Sequence, residues 1–337
     1  MDLNFSNYLL TFFVILIITY PLYKIFIKIA KKNRIIDIPD LLSSHQTSTV
    51  TSGGIVMYIV FICSLIFLTA LDQTIIDTFP NKYYLFIFSL STFVFFAFID
   101  DIKNLHHFYR LLIQFSLVLI SSPLFNLNYF PFDNMIKLNL IIYLYFFIYL
   151  INIINFTDGA DGFLTLNSIT FFLGILLFEY FETNFEFLFV ISLIILPILL
   201  VFMIYNKPKA KIFMGDSGSI FLAYLIGFCS IELITSGKWY IVISLLSYTF
   251  LDCTITLIKK TINGHAPWAR LFDYYFLKPI RINKKNSFLV FRYNLIFNIL
   301  NLTVVFFQIY YELHYLFLIS IILSLILMSK YNNFQKI

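Results

Sequence analysis

Three strings in this chain gather carboxylates, amides and glycines more densely than helix packing requires. The first closes a long apolar run with Asp100 and Asp101. Adjacent carboxylates at such a boundary repel each other and lose hydration unless a cation stands nearby. The pair therefore points to a metal site or to a base held at headgroup depth. A solvated helix end beside Lys103 is the plainer alternative. The second string is Asn152-Ile-Ile-Asn155-Phe-Thr-Asp158-Gly-Ala-Asp161-Gly162. Asn152 and Asn155 stand one helical turn apart, and buried amides must find partners in protein or ligand. Asp158 and Asp161 alternate with glycines, which suits a tight turn pressed against a phosphate or metal. A helix–turn–helix corner would use Asp-Gly twice, but would not need the two asparagines.

The third string runs from Asn206 through three lysines to Phe213-Met-Gly215-Asp216-Ser217-Gly218-Ser219 and then another apolar run. Its glycines and serines open a helix whose first amides can hold phosphate oxygens. Asp216 supplies a hard oxygen ligand of the kind Mg²⁺ takes together with substrate phosphates. Simple N-capping by Asp or Ser is the bland reading, and the string is longer than a cap needs. Weaker signals are Ser43-Ser44-His45 ahead of Gly53-Gly54, and Asp252 inside an apolar run. An intramembrane acid is a functional hypothesis by default, with a buried polar partner as its alternative. His106 and His107 read as interfacial anchors.

Positioning these strings falls to lipid-embedded helices. Of 337 residues, 60% are apolar and only 12% charged, about half the charge of an ordinary soluble domain. Apolar runs of about 20 residues recur, each long enough for a hydrocarbon layer of about 30 Å, and the strand alternation of a membrane barrel is absent. The expected fold is all-α and polytopic, a single domain over 1–337. Eleven spans are expected at about 8–29, 54–71, 83–99, 109–125, 137–155, 163–181, 186–205, 218–234, 239–258, 290–310 and 313–329, the fourth shortened by Pro123. The first lacks a basic leader and a cleavage site, so it reads as a retained span.

Lys and Arg crowd the loops that this count puts on one side, from Lys31 and Lys32 to Lys284 and Lys285, whereas the other side holds only Lys82, Lys137 and Lys238. The positive-inside rule then gives N-terminus out and C-terminus in, and accounts for most of the +5 net charge without nucleic acid. On this topology the glutamates lie outside, and the inner face carries only aspartates. Cys63, Cys229 and Cys253 have no disulfide or metal spacing and read as core residues.

In order, the strings IIDIPDLLSSHQTSTVTSGG, FIDD, NIINFTDGADGF and YNKPKAKIFMGDSGSIFL, with the Asp252 span, resemble the polyprenyl-phosphate N-acetylhexosamine-1-phosphate transferase superfamily. The likeness extends over about 35–260; a divergent loop, 261–289, and two last spans follow. The Ser-Ser-His loop is similar to the branch using UDP-GlcNAc or a related UDP-N-acetylhexosamine. The resemblance implies transfer of the sugar phosphate to undecaprenyl phosphate at the cytoplasmic face of a bacterial inner membrane, starting a cell-surface glycan such as O-antigen or cell wall. It implies Mg²⁺, or Mn²⁺ in its place, on Asp216 with Asp101. Asp100 and Asp101 would handle the lipid phosphate, Asn152, Asn155, Asp158 and Asp161 the nucleotide and diphosphate, and Ser217 the phosphates. Ser44 and His45 would touch sugar or phosphate, Asn206 and Phe213 would lie against uracil, and Asp252 would contact substrate. A homodimer is a possible assembly. The last loop departs from the family's His-Arg-x-His pattern, and Arg270, Asp273 and Lys278 are candidate substitutes. A transporter or a catalytically altered relative stays open as the alternative.

Overall fold

A computed structural model describes residues 5–39, 47–77, 80–103, 105–128, 132, 135–182, 187–266 and 274–336. Ser44, His45, Arg270 and Asp273 lie outside them. The chain folds into helices α1 (Phe5–Lys32), α2 (Gly54–Leu71), a short α3 (Thr74–Asp77), α4 (Pro80–Lys103), α5 (His107–Ser121), α6 (Ile136–Phe156) and α7 (Phe163–Glu182). Then come α8 (Phe187–Asn206), α9 (Gly215–Thr235), α10 (Trp239–Ile262), a short α11 (Lys278–Ile282), α12 (Ser287–Tyr310) and α13 (Phe317–Asn332). Two-residue strands, β1 (Ile36–Asp37) and β2 (Thr49–Val50), pair antiparallel in the first loop.

Ten of these helices are long and apolar enough to cross a membrane. The expected eleventh, α5, has only 15 residues and ends in a 3-10 turn at Ser122–Leu124 that contains Pro123. Arg110 near its start meets Asp100 at the end of α4, and Ser121 at its end hydrogen-bonds Tyr143 in the first half of α6 at 2.9 Å.

The centre of the bundle is α8 and α9. Apolar on every side, α8 is buried along most of its length, as expected for a helix ringed by others. It packs against α7, α1 and α2, while α9 packs against α4, α6 and α2. The close crossing of α2 and α9 rests on Gly54 and Gly218, where backbones touch. Helix α12 instead joins the bundle through a polar stripe. Asn294 and Asn298 donate to Asn167 Oδ1 at 3.0 and 2.9 Å, and Asn301 Nδ2 donates to the Ser244 carbonyl at 2.9 Å. In lipid, where apolar contact alone does not favour association, such interhelical bonds select the partner. Cys229 and Cys253 are buried as expected; Cys63 is exposed, because it falls on the outward side of α2.

Candidate active site

The three strings converge at one end of the bundle. There, β2 lies alongside the segment leading into α9: Val50 bridges Ile212, Phe213 N–H donates to the Val50 carbonyl at 2.7 Å, and Gly53 and Gly54 N–H donate to the Phe213 and Met214 carbonyls at 3.0 and 2.9 Å. This ladder delivers Ser52 to Asp101. Oδ1 of Asp101 accepts from Asp216 N–H at 2.7 Å; Oδ2 accepts from Ser217 N–H at 3.2 Å, Ser217 Oγ at 2.8 Å and Ser52 Oγ at 3.0 Å. Helix α9 is thus capped by a carboxylate from another helix, which satisfies its open amides and complements its dipole. Gly215, at φ +73°, allows the approach, because a Cβ there would stand 2.8 Å from Asp101 Oδ2.

Asp100 points elsewhere. Its Oδ1 accepts from Leu105 N–H at 2.7 Å and its Oδ2 pairs with Arg110 Nε at 2.6 Å. The same guanidinium reaches Asp216 Oδ2 through Nη1 at 3.2 Å, so Arg110 bridges two of the strings. Asn155 accepts from Ser219 Oγ at 2.8 Å and stands beside Asp216. Asp158, half-buried, has no hydrogen-bond partner among the described residues and lies within electrostatic range of Asp216, Asp101 and Asp161.

Other expected site residues hold the scaffold. Asp161 Oδ2 accepts from Lys209 and Ala210 N–H at 3.1 and 3.3 Å, pinning the lysine loop. The buried Asn206 accepts from Gly162 N–H at 3.1 Å and Thr165 Oγ1 at 2.7 Å, and donates to the Ile212 carbonyl at 3.0 Å, so its whole amide is engaged in protein. Phe213 is half-buried, with its backbone in the ladder. Asp252 Oδ1 accepts from Tyr275 N–H at 2.9 Å and Thr256 Oγ1 at 3.2 Å, and its Oδ2 from Tyr248 at 2.8 Å and Phe276 N–H at 3.3 Å. It fastens the last loop, where Phe276 stacks on Phe163 and Leu277 faces Gly159. Replacing Asp252 with Ala strands several buried donors at about 1–3 kcal/mol each. Lower thermal stability and faster proteolysis near Tyr275 are the expected result.

Beside Arg110 opens a cavity of about 330 Å³. Phe93, Phe96, Leu111 and Leu117 form its apolar wall, and Asp100, Arg110, Gln114, Asn152 and Asn155 its polar end. Asn152 Nδ2 donates to Gln114 Oε1 at 2.9 Å. His106 caps α5 through Nδ1, 3.4 Å from Phe108 N–H, and His107 lines the cavity mouth. Arg110, Gln114 and Ser52 were not among the expected site residues. Arg110 carried a signal, since a charge inside an apolar run is costly without a partner. Ser52 carried none.

Among the described residues, no three His, Cys, Asp or Glu side chains form a metal-binding group. Mg²⁺ asks for less, namely one or two carboxylates with substrate phosphates and water. Asp216 and the unpartnered Asp158 fit that requirement; both oxygens of Asp101 cap α9.

Fold and site together define a polytopic membrane protein with an acidic centre beside a cavity that has an apolar wall. The model of glycosyl transferase family 4 matches residues 83–234, the stretch from α4 through α9 that supplies the centre. The chain is 29% identical over 311 residues to a phospho-N-acetylmuramoyl-pentapeptide-transferase of Nautilia profundicola, covering 78% of this chain and 82% of that one. Proteins of the same name from Helicobacter pylori (29%, covering 80% and 86%) and Lactobacillus helveticus (26%, covering 68% and 74%) are also similar. From α4 to α9 the chain is thus similar to glycosyl transferase family 4, and over most of its length it is similar to phospho-sugar transferases.

Proposed function

We propose that the protein transfers an N-acetylhexosamine 1-phosphate from a UDP-sugar to undecaprenyl phosphate, releasing UMP, at the cytoplasmic face of a bacterial inner membrane. The observation that carries this reading is the cavity, whose apolar wall runs down to Asp100 and Arg110 a few ångströms from Asp216. One molecule with an isoprenoid tail and a phosphate head matches both parts. The Lys-rich loops gathered at this end of the bundle support the cytoplasmic side for it.

In the reaction, an oxygen of the lipid phosphate attacks the β-phosphorus of the UDP-sugar, and the bond to UMP breaks. A phosphate monoester with a second pKa near ~6 is largely dianionic at neutral pH, so the attack needs no strong base. What it needs is relief of repulsion between two anions. Among the described residues Nη2 of Arg110 has no partner, and Arg110 lines the cavity, so it would offer a cation to the lipid phosphate. Asp100 holds that guanidinium in place. Asn155, beside Asp216, would contact the diphosphate, while the first amides of α9 are taken by Asp101. Mg²⁺, bound by Asp216 with Asp158, would neutralise charge on the transferring phosphoryl group.

Purified protein with undecaprenyl phosphate, Mg²⁺ and a panel of UDP-sugars tests the reading by UMP release. The names of the relatives make UDP-N-acetylmuramoyl-pentapeptide one member of the panel, and the Ser-Ser-His loop makes UDP-GlcNAc another. UMP release with one of them is the expected outcome; no turnover with any would leave transport or an altered relative. One pyrophosphate bond is exchanged for another, so UMP is expected to inhibit and to drive the reverse reaction. In the same assay, Arg110→Gln is expected to lower kcat/KM for the lipid by on the order of 10²-fold, the scale of breaking a desolvated charge pair, with KM for the UDP-sugar little changed.

A further inference from the structure

The end of the bundle that holds the carboxylates also carries a cluster of cations to which the transfer step described above assigns no role. Tyr275, in the turn that Asp252 fastens, sits between two ammonium groups. Lys278 Nζ lies 4.0 Å from its ring centroid and Lys259 Nζ 4.9 Å from the same centroid, and Lys259 also hydrogen-bonds the phenol oxygen. Lys278 is steadied by Asn332 Oδ1 at 2.6 Å, at the end of α13. Among the described residues no carboxylate pairs with either lysine; the ion pairs there join Arg110 to Asp100 and Asp216, and Lys238 to Glu182.

Lysines at a membrane boundary ordinarily extend separately into water. Here two are drawn onto one aromatic ring, where they repel each other and where cation–π attraction holds them only in part. An anion between them removes that repulsion. The main chain that carries the ring is held, because Tyr275 N–H and Phe276 N–H are bonded to Asp252, and the ring itself is held by Lys259 at its phenol oxygen. The cations are therefore preorganised, which lowers the cost of binding. On the same helix, Ile258 beside Lys259 and Ile262 at the helix end are 54% and 78% exposed. Cations beside exposed apolar side chains at the end of a membrane-spanning helix match a headgroup phosphate that brings its own acyl chains; a soluble anion has no use for those side chains.

We propose that Lys259, Lys278 and Tyr275 form a binding site for the phosphate of an anionic phospholipid in the leaflet at the active-site end of the bundle. The site holds the last loop in place: Leu277, two residues from Tyr275, faces Gly159 in the Asp158 turn. Lipid occupancy therefore steadies the turn at Tyr275–Leu277 against the Asp158 turn. The binding claim stands whether or not the sugar-phosphate reading is correct.

The test uses the full-length protein in phosphatidylcholine nanodiscs with increasing phosphatidylglycerol. Thermal unfolding and the lipids retained in native mass spectrometry are the readouts. The wild type is expected to retain phosphatidylglycerol and to gain thermal stability with its fraction. Lys259→Gln with Lys278→Gln should weaken retention on the order of tenfold, as loss of two interfacial lysines implies, and Lys259→Arg with Lys278→Arg should restore it. Should the double Gln variant not fold, Lys259→Gln alone, at the exposed end of α10, gives the same comparison at smaller amplitude. Equal phosphatidylglycerol dependence in wild type and charge-loss variants overturns the proposal. So does a stabilisation by inorganic phosphate or UDP-sugar, without phosphatidylglycerol dependence, that the charge-loss variants abolish.

Discussion

Asp216→Asn is expected to give a folded protein whose turnover falls by on the order of 10²–10³ or more, the scale seen when one group that stabilises developing charge is lost. The substitution keeps the shape of the side chain. The backbone N–H of Asp216 still donates to Asp101, so the start of α9 is undisturbed, and the amide oxygen still accepts from Arg110. What disappears is the negative charge that would face Mg²⁺. Stabilisation of the wild type by Mg²⁺ in thermal unfolding should vanish in the variant, a readout separate from turnover. Asp101→Asn makes the informative contrast. Two backbone amides and two hydroxyls converge on that carboxylate. An amide there turns an NH₂ group toward donors, and the expected loss is of folding and activity together. Wild-type turnover in Asp216→Asn would refute the assignment of that residue to the metal.

Gly218→Val is expected to prevent stable folding. A Cβ at that position would lie 2.8 Å from Gly54 Cα and closer still to Met214 Cγ, and one at Gly54 would meet the Gly218 backbone. A methionine side chain can rotate away. The backbones of α2 and α9 cannot part without opening the β2–α9 ladder and withdrawing Ser52 from Asp101. Overpacking ordinarily costs about 1–3 kcal/mol, and a clash with main chain belongs at the top of that range or beyond. Yield of monodisperse protein in detergent and the unfolding midpoint measure the effect. Gly237→Ala is the control: its φ of +78° brings modest strain, but a Cβ there meets nothing within 4 Å. Equal stability of Gly218→Val and the control would show that the helix crossing is looser than described.

Much of the site was legible because its residue types are expensive at a membrane boundary. Asp100, Asn155, Asp158 and Asp216 stand out against an apolar background, and all four gather at the centre. Asn206, Asp161 and Asp252 stood out for the same reason, yet their polar atoms are engaged by backbone amides, carbonyls and hydroxyls. Cost alone does not distinguish a side chain that meets a ligand from one that satisfies a buried loop. Arg110 went unnoticed because its first turn reads as part of a span, and its partners lie 10 and 106 residues away.

Composition and the spacing of apolar runs determined the class and the approximate spans, since burying helices in lipid depends on local hydrophobicity, and the order of the polar strings carried the family resemblance. Only the tertiary structure decided which carboxylate caps α9, which pairs with Arg110 and which is left unpartnered. Those outcomes depend on distances between groups remote in sequence, and adjacent residues such as Asp100 and Asp101 point in different directions on a helix. The pattern along the chain fixes neither.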